Sequence, residues 1–390
     1  MRYCNITVSL ILVLVAITCS PSNAQVAIGG LADFELRKGG PDSDATVNQT
    51  PNDKWMVYTP TIRLFIDASL SDRWYVSGAL QSDYYTGRRS DIFVSSFNLN
   101  WMPSEQVTVT AGRFITPFGR AEELILSSQH SFVHMPLSHV WNMPVDRKRG
   151  YVFSATSYDD VPGQAMVYQR LYSQGVMLGG VTKRETFRYR LAATLTSVSS
   201  YADLGQHVRP AIVADLEVRP VIWNRTGLSY ANGPYMVDDP VNDILNDSRL
   251  SAYLQQIISV YTEFSHSYYQ LLFQFTFNRW DSPWIDRSGN LVEDDIENNV
   301  SHYMAQAKVR FPFWVGGYGA IRYEQFLPGE ITLKSRNITG QPTPDKQRLE
   351  MVLGYKLKRN ITLKASYLLS RNDGSELRDD VAAIQISAGF

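Results

Sequence analysis

The side chains with the most chemical potential crowd into one stretch of the chain. Between residues 113 and 149 lie His130, His134 and His139, the basic residues Arg113, Arg120, Arg147, Lys148 and Arg149, and the acidic pair Glu122 and Glu123. Histidines four apart share a helix face, so His130 and His134 have the spacing of a zinc half-site. No third ligand is fixed by spacing and no H-E-x-x-H pattern occurs, so these histidines read as polar filling of a folded loop, and no metal is expected. Ser138-His139 and His266-Ser267 are the candidates for a nucleophile beside its base. Neighbours on a strand point to opposite faces, which would hold hydroxyl and imidazole apart. Asp238, Asp239, Asp243 and His302 have no spacing that supports a peptidase site. Neither catalysis nor a cofactor is expected. What remains is electrostatic. Charges of both signs across a narrow, water-filled gap set up a transverse field that sorts solutes by charge.

Such a passage must be built by the rest of the chain. The segment Val381 to Phe390 alternates strictly, with Ala382, Ile384, Ile386, Ala388 and Phe390 in one phase and Ala383, Gln385, Ser387 and Gly389 in the other. A two-residue period is a strand with one oily and one wet face. Its length suits the roughly 9–11 tilted residues that cross a bilayer. The same period recurs at 93–101, 187–196, 270–278, 303–311, 349–358 and 361–370. Lys and Arg on the polar phase facing lipid near the midplane would cost about 2–4 kcal/mol each. Arg63, Arg188, Arg190, Lys308, Arg310 and Arg322 are therefore expected to face a hydrated interior. Only helices and closed barrels satisfy every backbone group in lipid, and no apolar run of about 18 residues follows the N-terminal segment.

The N-terminal segment has Arg2, an apolar stretch from Ile6 to Ile17, and small residues at Ser22 and Ala24 before Gln25. This is the pattern of a secretory signal peptide, so residues 1–24 are expected to be cleaved and 25–390 to form one domain. The only cysteines, Cys4 and Cys19, would leave with it, which excludes thiol chemistry and disulfides from the mature chain. The net charge of −1 gives no reason to expect nucleic acid. Aromatic residues are plentiful (22 Tyr, 17 Phe, 8 Trp), as interfacial girdles require.

Short connections are expected at Ser71-Asp72, Pro103-Ser104, Lys183-Arg184, Arg219-Pro220, His266-Ser267, Phe311-Pro312 and Arg359-Asn360. Long polar ones are expected near 38–53, 114–149, 232–250, 281–298 and 328–346. Short periplasmic turns alternating with long outer loops mark transmembrane barrels, and the short turns imply sixteen antiparallel strands. Asp159-Asp160-Val161-Pro162-Gly163 as a further turn, with Ser173-Gln174 as a short loop, would make eighteen. The third outer loop, 114–149, carries Leu124, Ile125, Leu126, Phe132, Val133 and Trp141. Such residues seek burial, so the loop is expected to fold inward and narrow the lumen. Arg113, Arg120, Glu122, Glu123, Arg147 and Arg149 are the constriction candidates.

Gly112-Arg113-Phe114-Ile115-Thr116-Pro117-Phe118-Gly119 resembles the segment that leads into the third loop of the phosphate-selective porin O/P family and related trimeric porins. The terminal Phe390 resembles the signal by which outer-membrane barrels are recognised by their assembly machinery. The resemblance implies a trimeric outer-membrane barrel amid lipid and lipopolysaccharide that passes small hydrophilic solutes or ions. Dense basic ladders serve phosphate selectivity in that family; the slightly negative balance here does not match them. The alternatives are a selective channel for sugars, phosphate or organic acids, a barrel lipase or protease, and a structural barrel with a blocked lumen.

Overall fold

The computed structural model describes residues 25–43, 50, 53–59, 61–83, 92–120, 123–124, 126–140, 142–146, 150–151, 163–168, 172–200, 209–237, 247–285, 290–373 and 379–390. Sixteen long strands form one antiparallel sheet: β1 (Gln25–Gly39), β2 (Thr61–Ser71), β3 (Trp74–Asp83), β4 (Ile92–Ser104), β5 (Val107–Ile115), β6 (Tyr172–Val181), β7 (Phe187–Thr194) and β8 (Ala211–Val221). The second half continues with β9 (Asn224–Pro234), β10 (Leu254–Ser265), β11 (Tyr269–Ile285), β12 (Leu291–Arg310), β13 (Gly317–Pro328), β14 (Lys346–Lys358), β15 (Ile361–Asn372) and β16 (Val381–Gly389). Each strand pairs with the next, and β1 also pairs with β16 (Leu31 opposite Gly389, Gly39 opposite Val381), so the sheet closes. Closure leaves no strand edge unpaired, as hydrocarbon demands.

The two phases of each strand are sorted inside out relative to a soluble protein. On β14, Met351 and Leu353 are 41% and 51% exposed, whereas Glu350 is fully buried. On β16, Ile384 and Ile386 are exposed while Gln385 and Ser387 are buried. On β11, Phe273 and Phe277 are exposed while Thr276 and Asn278 are buried. A soluble barrel would bury the apolar phase; here it forms the outer surface and the polar phase lines the interior. At the short-turn end, Trp74 stacks on Trp101, Trp223 on Phe264, and Trp314 on Tyr355. Flat amphipathic rings in this position suit a headgroup layer.

All seven expected short turns occur, with two displaced. β4 continues to Ser104 before turning, and β8 passes Pro220 to turn at Ile222-Trp223. The register slips between Val218 and Val221, a bulge that accommodates a residue with no N–H to give the ladder. The eighteen-strand alternative is excluded, because Ser173 and Gln174 lie within β6, opposite Phe114 and Arg113 of β5. The third connection therefore runs from 116 to 171, well beyond the expected limit of 149. The expected loop at 281–298 is mostly strand: β11 and β12 extend as a paired hairpin, with Asp281 opposite Glu297. The 328–346 connection contains a small hairpin of Ile331–Leu333 with Ile338–Gly340.

The closing seam is tight at one residue. Phe390 exchanges backbone hydrogen bonds with Gly30, its N–H donating at 3.1 Å and its oxygen accepting at 3.2 Å. The Phe390 ring lies over Gly30, where a Cβ would come within 2.3 Å of the ring. A Cβ there would displace the ring from its seat on Gly30.

Candidate functional site

Segment 116–171 leaves β5 directly into an apolar cluster. Phe114, Phe118, Leu137, Val140, Met143 and Met166 pack with Val213, Ala231, Ile257, Trp280, Val300 and Phe326 from β8 to β13. These strand residues occupy the buried phase, so the polar lining gives way to an apolar one where the segment rests. Leu124 and Leu126 pack on the margin of this cluster, and Phe132 joins Tyr318, Ala320 and Val352 in a smaller one. Ile125 and Trp141 lie outside the described residues.

Charged side chains of the wall hold the segment by its backbone. Glu350 accepts from the N–H groups of Val133 (3.0 Å) and His134 (3.2 Å), and Glu324 accepts from Leu137 N–H at 2.8 Å. Arg322 donates to the His134 carbonyl at 2.8 Å and Arg348 to that of Met135 at 3.1 Å. Lys364 donates to the carbonyls of Ser127 (2.6 Å) and Phe132 (3.1 Å), while Ser127 Oγ donates to Asp33. The wall charges are also paired among themselves, Arg322 lying 2.6 Å from Glu350 and 3.1 Å from Glu324. Buried charges persist when paired and hydrogen-bonded, and here loop backbone supplies many of the remaining partners.

A second network sits toward the short-turn end, on β7 to β10. Glu263 binds Arg120 (2.7 Å) and Arg225 (2.8 Å), and Arg225 also lies 2.6 Å from Glu123, which pairs with Arg120. Glu217 binds Arg188 and Arg219, each at 3.0 Å, and accepts from Tyr261 Oη at 2.6 Å. Burial raises the Glu123 carboxyl, but Arg120 and Arg225 outweigh it and hold the group below the usual carboxylate range. Beside this network Arg190 binds Asp215 at 2.8 Å, Asp215 accepts from Ser229 Oγ at 2.6 Å, and Ser229 accepts from Gly119 N–H at 2.8 Å. The start of the segment is thus fastened to β9.

The constriction candidates separate. Arg120 and Glu123 come together in the network just described. Glu122, Arg147 and Arg149 lie outside the described residues, as does Lys148. Arg113 stands opposite Phe97 and Gln174, in phase with Ala111 and Val176, which are exposed on the outer face. The register therefore turns Arg113 away from the constriction where sequence alone put it. Its neighbour Gly112, at φ +124°, has no room for a Cβ, which would lie 2.4 Å from the Phe97 carbonyl oxygen. Of the lumen candidates, Arg63 is buried and bonds Gln81 at 2.9 Å, and Arg188, Arg190 and Arg322 are placed as above. Lys308 lies 4.3 Å from the centre of the Tyr318 ring, and Arg310 is exposed at the rim, bonding the Ser267 carbonyl at 3.2 Å. Glu35, Glu217, Glu263, Glu324 and Glu350 were not singled out from sequence. Each sits on the polar phase of a strand, and all but Glu263 lie two residues from an arginine (Arg37, Arg219, Arg322 and Arg348); that alternation was the available signal.

His134 and His139 are buried and His130 is half-buried. His134 Nδ1 is 3.1 Å from Glu350, and His139 Nδ1 is 3.0 Å from Ser138 Oγ. The Ser138–His139 contact departs from the strand-based expectation, because Leu137–His139 is a 3-10 turn in which adjacent side chains can meet. Among the described residues no three His, Cys, Asp or Glu side chains gather in a metal-binding arrangement. Burial pushes the imidazole of His139 down to about 3, and lowers those of His130 and His134 against the opposing pull of Glu350.

No protein-family model matches the sequence, so the likeness to the phosphate-selective family remains confined to residues 112–119. No curated protein matches it either. In structure the chain is similar to the outer membrane channel DcaP of Acinetobacter baumannii, at 13% identity over 95% of this chain and 99% of that one, with a TM-score of 0.61. It is also similar to an anion-selective porin from Comamonas acidovorans (12% identity, 94% and 100% covered, TM-score 0.57). A third likeness is to the trimer form of OmpT, an outer membrane protein of Vibrio cholerae (10% identity, 94% and 99% covered, TM-score 0.55). At such identities the likeness establishes the fold, a sixteen-stranded barrel of the kind found in outer-membrane porins and channels.

Proposed function

We propose that this chain is an outer-membrane diffusion channel for small hydrophilic solutes, and that segment 116–171 folds into the lumen and narrows it. The observation that carries the reading is the bonding of the segment's backbone, from 127 to 137, to charges on the buried polar phase of β13 to β15. In a closed cylinder with an apolar exterior, that phase faces inward. Arg120 and Glu123 stand at the segment's start, where charges of both signs act on passing solute. The location in a bacterial outer membrane follows from the barrel, its outward apolar phase and its structural likenesses. Assembly as a homotrimer draws support from the trimeric OmpT form. Phe390, seated on Gly30 at the seam, is the proposed contact for the assembly machinery.

Reconstitution in planar bilayers tests the reading. Discrete conductance steps are the expected result. An electrically silent, correctly folded barrel that turned over phospholipid or peptide would replace the channel with an enzyme.

A further inference from the structure

The described residues of segment 116–171 pack chiefly against β8 to β15. On the other side of the barrel a cavity of about 450 Å³ runs along β2 to β7. Its middle is a patch of uncharged hydrogen-bonding groups. Thr110 Oγ1 donates to Asn100 Oδ1 at 2.7 Å, and Asn100 Nδ2 donates to Asn98 Oδ1 at 2.6 Å and to Ser77 Oγ at 3.2 Å. Ser77 Oγ in turn donates to Asn98 Oδ1 at 3.0 Å. These bonds orient the groups toward one another and leave lone pairs on Thr110, Ser77 and Asn100 for a visitor. Phe65 and Tyr75, both half-buried, add aromatic surface to the same cavity.

The charges beside this patch are unequal. Arg188 and Arg190 line the cavity on β7, but each has a carboxylate within 3.0 Å, Glu217 and Asp215 respectively. Each pair acts as a local dipole whose field decays faster than that of a lone cation. Across the cavity, Asp67 on β2 is exposed and has no ion-pair partner among the described residues. Glu105, beside the β4–β5 turn, also lines the cavity and is likewise exposed with no ion-pair partner among the described residues. The unbalanced charge on the passage is thus carboxylate only, beside a wall of hydroxyls, amides and aromatic faces. Anions meet no bare cation there, whereas a hydroxylated ring finds donors, acceptors and a flat apolar surface for its C–H faces.

We propose that this off-centre cavity is a binding and transit site for uncharged, hydroxylated solutes of oligosaccharide type, with Asp67 giving a mild preference for cations over anions. The proposal rests on the channel reading and assigns its solute class. The test uses the full-length mature barrel in planar bilayers, with maltotriose and inorganic phosphate as probes and a KCl gradient for ion preference. Maltotriose is expected to interrupt the current at millimolar concentration and phosphate at the same concentration to leave it open. Asp67→Asn is expected to lower the cation-to-anion permeability ratio at least about twofold. Asn100→Ala is expected to weaken the maltotriose block about fivefold or more, with Ser77→Ala as a second variant should Asn100→Ala fail to assemble. Anion preference in the wild type, block by phosphate but not by maltotriose, or an Asp67→Asn ratio equal to wild type would each overturn the proposal. If the barrel is silent, the channel reading fails by itself. Calorimetry of maltotriose binding to the detergent-solubilised barrel then decides the cavity: heat lost on Asn100→Ala upholds the site, and no heat in the wild type removes it.

Discussion

Replacing Glu350 by Ala is the sharpest perturbation of the wall-bound segment 127–137. The carboxylate is fully buried, accepts from two loop N–H groups, and lies 2.6 Å from Arg322 and 3.1 Å from His134 Nδ1. Removal strands a buried guanidinium with only Glu324 as its remaining carboxylate partner and leaves the Val133 and His134 N–H groups unmatched. Deleting one partner of a buried pair costs about 3–5 kcal/mol, and the lost backbone bonds belong to the same network, so they are not added separately. The ladder hydrogen bonds of β13, β14 and β15 do not depend on Glu350, so the cost falls on the docking of residues 127–137. A penalty of about 4 kcal/mol moves a docked-to-undocked equilibrium by roughly a thousandfold. Single-channel recording of Glu350→Ala should therefore show larger or noisier openings, and protease should cut within 116–171 of the folded barrel where the wild type resists. Glu350→Gln keeps an oxygen for the loop N–H groups and should fall between the two. If Glu350→Ala matched wild type in conductance, noise and cleavage, the idea that wall charges hold the segment would be refuted.

Three further outcomes follow. Burial holds His139 neutral with its pKa pushed down to about 3, whereas a released loop would restore the ordinary value of 6.5. The docked state is therefore fully favoured above pH 6.5 and weakens as pH falls toward 3, by about 2 kcal/mol at pH 5 for this one group, so current noise should grow between pH 7 and 4.5. His139→Asn should flatten part of that dependence, the rest coming from His130 and His134, whose values are lowered in the same direction. Gly30→Val puts a Cβ into the Phe390 ring and should reduce the yield of folded, heat-modifiable barrel on gels, with Gly30→Ala intermediate. Leu353→Arg, on the exposed phase of β14, should lower folding stability in lipid vesicles by about 2–4 kcal/mol in urea titrations. No change there would mean that the β14 face does not meet lipid.

The barrel was legible because its governing signal is local. A period of two, a tight turn and a charge at every second position can each be read within ten residues, which is why the seven short turns and the closing strand were found. The third connection extends past the expected end because nothing local separates a loop that packs against the wall from a strand that belongs to it. Tyr172 to Val181, with Gly175, Gly179 and Gly180, has weak alternation, and its assignment depends on β5 and β7 beside it. The 281–298 stretch reads as loop because Asp, Glu and Asn dominate it, yet it pairs as strand beyond the bilayer, where both faces can be wet. Arg113 was misplaced because a charge next to a functional loop drew more weight than its phase. The acidic partners were missed because one-sided reading of a strand shows a charge but not the strand that answers it.

That last omission bears on how selectivity is inferred for such barrels. The inner-phase cations here include the arginines Arg37, Arg63, Arg188, Arg190, Arg225, Arg322 and Arg348 and the lysines Lys308, Lys346 and Lys364, a set that by itself suggests an anion path. Arg37, Arg188, Arg190, Arg225 and Arg322 each have a carboxylate within 3.1 Å (Glu35, Glu217, Asp215, Glu263 and the Glu324–Glu350 pair), while Arg348, Lys346 and Lys364 bond loop carbonyls or amides. Their work is structural, fastening loop to wall and strand to strand in a place that water reaches poorly. Only the charge left over acts on a solute at a distance, because paired charges cancel beyond a few ångströms while an unpaired one is felt over about a Debye length, near 8 Å at physiological salt. Along the cavity on β2 to β7 that surplus is Asp67 and Glu105. The physical expectation for this chain is therefore the opposite of the one its arginine count suggests, and the two diverge in the sign of a single reversal potential.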